Sequence, residues 1–584
     1  MLPGRRLFVH LLLCALALAA CGDDTTGQPD APPPPQVDAA PADAAPDLTG
    51  PLFDPARVIE VAVELPPASW DMLRVQTRSV ADIFGNCLMG PFPDPFTYFP
   101  AKVTIDGQTL DNVGVRKKGF LGSLDDVKPS LKVKFDEYVL DQRLAGLRSF
   151  TLNNSRQDPS FLHQCLSYQT FRAAGVPAPR CNFARVRVNG NDLGLYVHVE
   201  AVNKDFLARN FADAEGNLYE GTLSDFRPGW TATFELKTNE LVNDRTDLEP
   251  VVDALARPDP QLLGALDPLL DVDGFLTFWA TEMLVAHWDG YASNTNNFLA
   301  YHDPASGLFQ LIPWGADATF VNGDSPWSGG PSSVQATGLL ARRLYLLPET
   351  RDRYVARLRS LLAATWKEND LLAEVDRMED LITPIADPDG SKGLAEKIEE
   401  VRGFVRARRG QIDGELAAGP PPWNEPLRDP PCFVPIGDAS GTFSTTWGTA
   451  GAPNPFATGS GTLMGTVNGM PLAVGMVGAT AGMDPNVTPP DPPKVQLVQV
   501  ATLADGTAAI VVFQVDPALY APATDLAIDW GGVMGLVFRF TPSTGTFELV
   551  ALFSDGTLHL GMASMTDGAP VTGSFTGNLI KSPF

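Results

Sequence analysis

His287-Trp288-Asp289-Gly290-Tyr291-Ala292-Ser293-Asn294-Thr295-Asn296-Asn297-Phe298-Leu299-Ala300-Tyr301 is followed, after a short turn, by Phe309-Gln310-Leu311-Ile312-Pro313-Trp314-Gly315-Ala316-Asp317-Ala318-Thr319-Phe320. An isolated Asp precedes a cluster of Asn. An apolar strand, a turn and a second apolar strand then lead to another Asp. A phosphoryl-transfer site uses its parts in this order: one Asp takes the proton of the attacking hydroxyl, and an Asn and a second Asp hold Mg²⁺ against the phosphates. The spacing is not that of an ordinary protein kinase, so the surrounding chain has to support the assignment.

Upstream, the chain alternates in strand fashion at 58–64 and again at 101–105, where Asp106-Gly107 marks a turn. Further strands are expected at 113–117 and 130–135. A helix is expected over 158–174, with Asp158 as N-cap, Pro159 in the first turn and Gly175 as the stop. Segments 184–188 and 193–199 form a hairpin around Asn189-Gly190. Segment 203–211 reads as helix. From 250 onward the pattern is mainly helical apart from a 297–313 hairpin, with amphipathic helices over 339–362 and 371–408. Strands first and helices second suit a β-rich lobe followed by an α-rich lobe, and a cleft between two such lobes suits a nucleotide.

The N-terminus reads as a targeting segment. Arg5 and Arg6 precede an apolar run too short to span a bilayer. The run ends in Leu18-Ala19-Ala20-Cys21, which is similar to a bacterial lipobox, so residues 1–20 are expected to be a lipoprotein signal peptide and Cys21 the lipidation site. The alternative is an ordinary secretory signal. Residues 21–50, rich in Ala, Pro and Asp and without Lys or Arg, are expected to be a disordered tether. Removing Arg5 and Arg6 with the signal takes the formal charge from −26 to −28. Such acidity argues against nucleic-acid partners, and against membrane association other than through the lipid anchor. Cys87, Cys165, Cys181 and Cys432 then remain, enough for two disulfides in any of three pairings.

A Pro-rich break over 419–431 separates a first domain, 51–418, from 432–584. The latter is rich in Gly, Thr and Val. Short strands are expected at 494–502, 508–515, 533–540, 547–553 and 557–562, with turns at Asp505-Gly506 and Asp555-Gly556, a pattern that points to an all-β sandwich-like domain. It carries no catalytic constellation and is left to bind a surface partner or to act as a spacer.

Several motifs now fall in order: Lys128-Pro129-Ser130-Leu131-Lys132-Val133-Lys134-Phe135, Leu152-Asn153-Asn154, Asp158-Pro159-Ser160, Ala174-Gly175-Val176-Pro177, Gly194-Leu195-Tyr196-Val197-His198-Val199-Glu200, and Gly216-Asn217-Leu218-Tyr219-Glu220. With the 287–320 stretch they make residues 55–412 resemble the CotH family of spore-coat-type atypical kinases. The resemblance implies an α+β fold: an atypical protein-kinase-like two-lobed domain, here followed by the β domain. It also implies ATP-dependent phosphorylation, with Mg²⁺ or Mn²⁺, of Ser or Thr in a protein substrate.

By that resemblance Asp289 is the catalytic Asp; its other reading is a loop Asp bonded to its own backbone. The Mg²⁺-holding Asn is Asn297, which abuts a strand, or Asn294, five residues after Asp289. Asp317 is the second metal-binding Asp. Family members commonly carry Asp-x-Asp after Pro-Trp, whereas this chain has Gly315-Ala316-Asp317 and lacks one acid. Lys128, Lys132 and Lys134 are candidates for the phosphate-binding lysine. Arg116, Gly119 and Ser123 are candidates to cover the phosphates, Glu200 to contact the nucleotide from a hinge, and Lys237 is a further candidate cleft residue. Asp271 and Asp273 read as a helix start rather than a Ca²⁺ loop. Two functions compete: a surface-tethered kinase acting on a basic, Ser-rich protein, and a catalytically impaired pseudokinase or adhesion lipoprotein. A third alternative is a carbohydrate-associated surface protein.

Overall fold

The computed structural model describes residues 49–581 except 79, 86, 322–329, 486, 488–492 and 529–531. The expected signal peptide, Cys21 and nearly all of the tether lie in residues 1–48, outside the described residues. Among the described residues no helix is long and apolar enough to cross a membrane.

Alternation shapes the first lobe. In β1 (Val58–Glu64), Ile59, Val61 and Val63 are buried while Glu60 and Glu64 are exposed. Helices α1 (Pro67–Arg74) and α2 (Val80–Gly85) follow, then β2 (Phe99–Ile105), β3 (Gln108–Lys118), β4 (Ser130–Lys134) and β5 (Ser149–Asn153). Helix α3 (His163–Ala173) leads to the hairpin of β6 (Cys181–Val188) and β7 (Asn191–Glu200). Its Asn189-Gly190 turn has φ of 51° and 82°, the left-handed pair that such a turn needs. The strands close into a barrel in the order β1-β2-β3-β4-β5-β7-β6, with β6 returning parallel to β1. Helix α3 starts five residues later than expected. Phe161 takes φ 65°, and Asp158, instead of capping at the start, reaches forward to accept the backbone N–H of His163 at 2.8 Å.

Asn203 caps α4 (Lys204–Asn210) through its side chain. The second lobe then forms around a four-stranded sheet with β8 (Asn217–Gly221), β9 (Glu235–Leu236), β10 (Phe298–Asp303) and β11 (Leu308–Pro313), in the order β11-β10-β8-β9. Against it pack α5 (Glu249–Leu255), α6 (Asp259–Leu266) and α7 (Val272–Leu284). Helix α7 is buried along nearly its whole length, and Asp271 caps it by accepting Gly274 N at 2.8 Å, a helix start as expected. A single turn, α8 (Tyr291–Asn294), is followed by α9 (Leu339–Leu346), α10 (Pro348–Ala364), α11 (Glu368–Ala386) and α12 (Leu394–Leu416). The one helix expected over 339–362 is thus two. Leu347 precedes Pro348 and is held extended, at ψ 123°, by the proline ring.

Among its described residues the last domain is all-β apart from the short α13 (Pro455–Thr458). Its described strands are β12 (Val434–Thr446), β13 (Ser460–Val467), β14 (Met470–Pro471), β15 (Val474–Met483), β16 (Val495–Leu503), β17 (Ala508–Val515), β18 (Thr524–Ala527), β19 (Val533–Thr541), β20 (Thr546–Met562) and β21 (Pro570–Lys581). One continuous antiparallel sheet runs β14-β13-β12-β21-β20-β19-β17-β16-β15, with β18 beside β20. It rolls over on itself: Thr449 N donates to Ala481 O at 2.9 Å, and Gln499 Nε2 to Thr442 O at 2.7 Å. Its inner face encloses a single core around Phe443, Phe513, Phe553 and Phe575. The turn expected at Asp555-Gly556 is a bulge inside β20: Gly556 has φ 144°, and the register against β21 shifts there.

The cysteines pair Cys87–Cys432 and Cys165–Cys181, with Cα separations of 5.2 and 5.1 Å. The second disulfide ties α3 to β6. The first spans 345 residues.

Candidate functional site

Between the barrel and the second lobe lies a cavity of about 260 Å³ whose wall includes Asp289, Asn296, Asn297, Gly315 and Asp317 below and Arg116, Lys118 and Lys132 above.

The lower wall is built on α7. Just before the helix ends, Glu282 points its buried carboxylate at the next loop and accepts Tyr291 N at 2.8 Å and Ala292 N at 3.0 Å. Gly290 is required there, since a Cβ would lie 2.2 Å from Glu282 Oε1. Thr295 and Asn297 both take φ 51°, and these left-handed steps turn three carboxamides onto one carboxylate. Asn294 Nδ2 donates to Asp289 Oδ1 at 2.6 Å and Asn296 Nδ2 to the same oxygen at 3.1 Å, while Asn297 Nδ2 donates to Oδ2 at 2.7 Å. A carboxylate offers about four lone-pair sites. Three are filled, so Oδ2 keeps one. Burial pushes the Asp289 carboxyl above its ordinary range, and the three carboxamides and Arg428 pull against that.

Asn297 leads directly into β10, and its carbonyl accepts Trp314 N at 3.1 Å, which extends the β10–β11 hairpin by one step. Gly315 follows with φ 48°, and a Cβ there would sit 2.3 Å from Asn297 Oδ1. The side chain of Asn297 therefore occupies the space that an acid at 315 would enter. Asp317 has its pKa raised to about 6, first by burial and then by Asp289 and Asp158, with Lys118 opposing.

The upper wall follows from the pleat of β3 and β4. Val113, Val115 and Lys117 point into the barrel, which turns Arg116 and Lys118 outward. Lys132 is the cross-strand partner of Arg116. Lys118 Nζ donates to Asn153 Oδ1 at 2.8 Å and lies 5.4 Å from the Trp314 ring centre. Burial lowers Lys118 and Lys132 to about 8 each. Arg116 pairs with Asp94 at 3.0 Å, and Arg78 sits between the rings of Phe96 and Phe120. Lys237 enters beside β9 and pairs with Glu220 at 3.0 Å and Glu235 at 2.9 Å. Burial pushes Glu220 up, but Lys237, Lys132 and Lys118 outweigh it and hold the carboxyl below its ordinary value. Gly119 and Ser123 also line the cavity, where Ser123 Oγ accepts Phe120 N at 3.1 Å.

Not every expected site residue reaches this cavity. Lys128 packs its ammonium between the rings of Phe161 and Tyr196, 4.9 Å from each centre. Lys134 shares the outward face of β4 with Lys132 but pairs with Glu137 at 2.8 Å. Glu200 is 2% exposed and joins Arg180, at 2.7 Å, to Arg209. That makes it a clamp at the end of β7. Asn294 lies behind Asp289, with its Oδ1 accepting Arg428 Nε at 2.7 Å. Lys118, Arg78, Glu220 and Arg428 were not expected. The alternation that pairs Lys132 with Lys134 also pairs Arg116 with Lys118, so Lys118 had a sequence signal. Among the described residues no group of three or more His, Cys, Asp or Glu is placed to hold a metal ion. Asp317 and Asn297, the residues expected to hold the cation, both line the cavity.

The chain is 26% identical over 255 residues to the inner spore coat protein H of Bacillus subtilis (strain 168), a match covering 41% of this chain and 69% of that protein. It is 26% identical over 222 residues to invasin CotH2 of Rhizopus delemar, covering 33% of this chain and only 37% of the invasin. Among solved structures, the crystal structure of the Helicobacter pylori proinflammatory kinase CtkA matches at 11% identity, covering 51% of this chain and 92% of that one, with a TM-score of 0.27. The family model described as CotH kinase protein matches residues 115–412, just over half of the sequence, and the chain belongs to that family.

Proposed function

We propose that this chain is a protein kinase that transfers the γ-phosphate of ATP to a Ser or Thr hydroxyl of a protein substrate. The observation that carries this reading is the pairing, in one cavity, of Asp289, which keeps one lone pair on Oδ2, with a wall of cations. Lys132 has no ion-pair or hydrogen-bond partner for its side chain among the described residues, and Lys118 has only Asn153 and the Trp314 ring. Burial lowers the pKa of both ammonium groups, and a polyphosphate beside them would raise it again.

The donor set fits a hard cation held partly by phosphate oxygens. Asp317 offers one carboxylate and Asn297 one amide oxygen, and Mg²⁺ usually takes one or two carboxylates plus substrate phosphates. Bound there, Mg²⁺ or Mn²⁺ would neutralise charge on the β- and γ-phosphates. Asp289 Oδ2 accepts the hydroxyl proton as the hydroxyl oxygen bonds to the γ-phosphorus. The bond from that phosphorus to the β-bridging oxygen breaks, and ADP leaves. Lys118 and Lys132 bind phosphate oxygens from the barrel side. The formal charge of −26 favours a basic acceptor segment, consistent with a Ser-rich, basic protein.

Asp289→Asn keeps the shape and removes the base. Transfer from Mg- or Mn-ATP to a basic, Ser-rich peptide is expected to fall by about 10²–10⁴-fold, with nucleotide-dependent thermal stabilisation retained. Absence of both transfer and nucleotide stabilisation in the unaltered protein would refute the reading. It would favour the second one, a catalytically impaired surface-binding lipoprotein, which draws on Gly315 standing where the resemblance leads an acid to be expected. In either reading we place the protein outside the membrane on a lipid at Cys21. Fatty-acid labelling should then disappear in Cys21→Ala, and equal labelling would exclude the anchor.

A further inference from the structure

The family match ends at residue 412, yet a buried cation from beyond it reaches the Asp289 cluster. After α12 the Pro-rich segment crosses the second lobe as a strap. Tyr345 Oη donates to Pro421 O at 2.7 Å, Trp423 is 5% exposed within the second-lobe core, and Arg428 N donates to Thr337 O at 2.9 Å. Arg227 Nη2 donates to Arg428 O at 2.6 Å. The strap ends in Cys432, bound to Cys87, which precedes the segment holding Asp94 and Phe96 in the cavity wall. The two anchors of this strap, Cys87 and Cys432, both lie outside the family match.

Arg428 is 7% exposed, and its Nε donates to Asn294 Oδ1 at 2.7 Å. Asn294 Nδ2 in turn donates to Asp289 Oδ1 at 2.6 Å. A carboxamide has one donating and one accepting end, and only the donating end can face a carboxylate. A guanidinium has donors alone, so by taking the oxygen of Asn294 it fixes the amide with its N–H toward Asp289. We propose that Arg428 is a positioning residue for the catalytic loop, carried to Asp289 through Asn294 by a strap that the Cys87–Cys432 disulfide holds down. The phosphoryl-transfer part of this inference rests on Asp289 acting as the base; the ordering of the loop does not.

The full mature chain, Arg428→Gln and Arg428→Ala are compared. In transfer from Mg-ATP, kcat is expected to fall about 10- to 100-fold while KM for ATP stays within about twofold. Millimolar guanidinium should restore part of the rate of Arg428→Ala, which a lost packing contact would not allow. Cys87→Ser/Cys432→Ser, which leaves Arg428 and the Asn cluster intact, should lower kcat in the same direction. Hydrogen–deuterium exchange across 287–297 is followed in parallel and needs no activity. It should quicken in both Arg428 variants and in the double Ser variant, with β1 and β6 unchanged. Unchanged exchange in the Arg428 variants, or wild-type kcat in them, overturns the proposal. If the unaltered chain transfers no phosphate, the kinase reading fails on that result, and exchange alone decides whether Arg428 orders the loop.

Discussion

Gly315 occupies a place that a side chain cannot enter without displacing Asn297. Its φ is 48° and its missing Cβ would lie 2.3 Å from Asn297 Oδ1. Gly315→Asp, which installs the acid expected of the family, should therefore cost about 1–3 kcal/mol of stability and leave transfer no faster than in the parent. Urea unfolding and steady-state rates check both, and a faster enzyme would contradict the geometry. His198 gives a pH test. It is fully buried between Phe53 and Phe150 and bonded to Asn182, and burial, then Arg180, lowers it to about 3. Its folded pKa lies below the ordinary 6.5, so the unfolded chain binds the proton first. The stability it confers is complete above about pH 6.5 and is lost as pH falls toward 3. Between pH 7.5 and 5.5 the unaltered chain should lose about 1.4 kcal/mol through this group, and His198→Gln should lose less over the same interval in denaturant titrations. At this scale Asp289, Asn297, Asp317, Arg116 and Lys132 were legible, because order along the chain and strand parity carried them to the cavity. Lys128, Lys134 and Glu200 were not, because parity says which way a side chain points but not which neighbours will claim its charge.

The hairpins were readable from period and punctuation, and so was the helical character of 339–362 and 371–408, although each of those spans is two helices. Asn189-Gly190 formed the expected turn, and Asn203 and Asp271 capped the helices that follow them. What escaped were elements fixed by partners distant in sequence. Strand β5, with only Phe150 and Leu152 as its large apolar residues, exists because β4 and β7 flank it. Strand β12, full of Gly, Ser and Thr, lies between β13 and β21. In β20 an Asp-Gly pair that would end a strand elsewhere is absorbed as a bulge, because the chain approaches β21 so closely that a Cβ on Gly556 would meet Thr576 O at 2.2 Å. Gly556→Ala should thus cost about 1–3 kcal/mol. Gly506→Ala, at a turn where the Cβ meets nothing, should cost less. Chemical unfolding followed by circular dichroism separates the two, and equal costs would mean that β20 is not bulged there.

Over the whole molecule, the disulfides set the connections that composition could only enumerate. Composition marked 419–431 by its prolines but gave no sign that Trp423 and Arg428 are buried against the second lobe, since burial there depends on residues as far as 201 positions earlier. Loop-closure entropy grows with the length enclosed. Cys87–Cys432, spanning 345 residues, should therefore stabilise more than Cys165–Cys181, spanning 16, by a difference of about 3 kcal/mol. Thermal unfolding of the two double Ser variants tests the order. The long bridge has another effect. It makes the backbone from 87 to 432 a closed ring that contains nearly the whole kinase-like domain, with the β domain attached at the rim. A protease that nicks this ring once opens it without dividing the molecule, and the nicked chain should run as one species on a non-reducing gel and as two after reduction. For a protein expected to work outside the cell, separating the two pieces made by a cut inside the ring then requires a reductant as well.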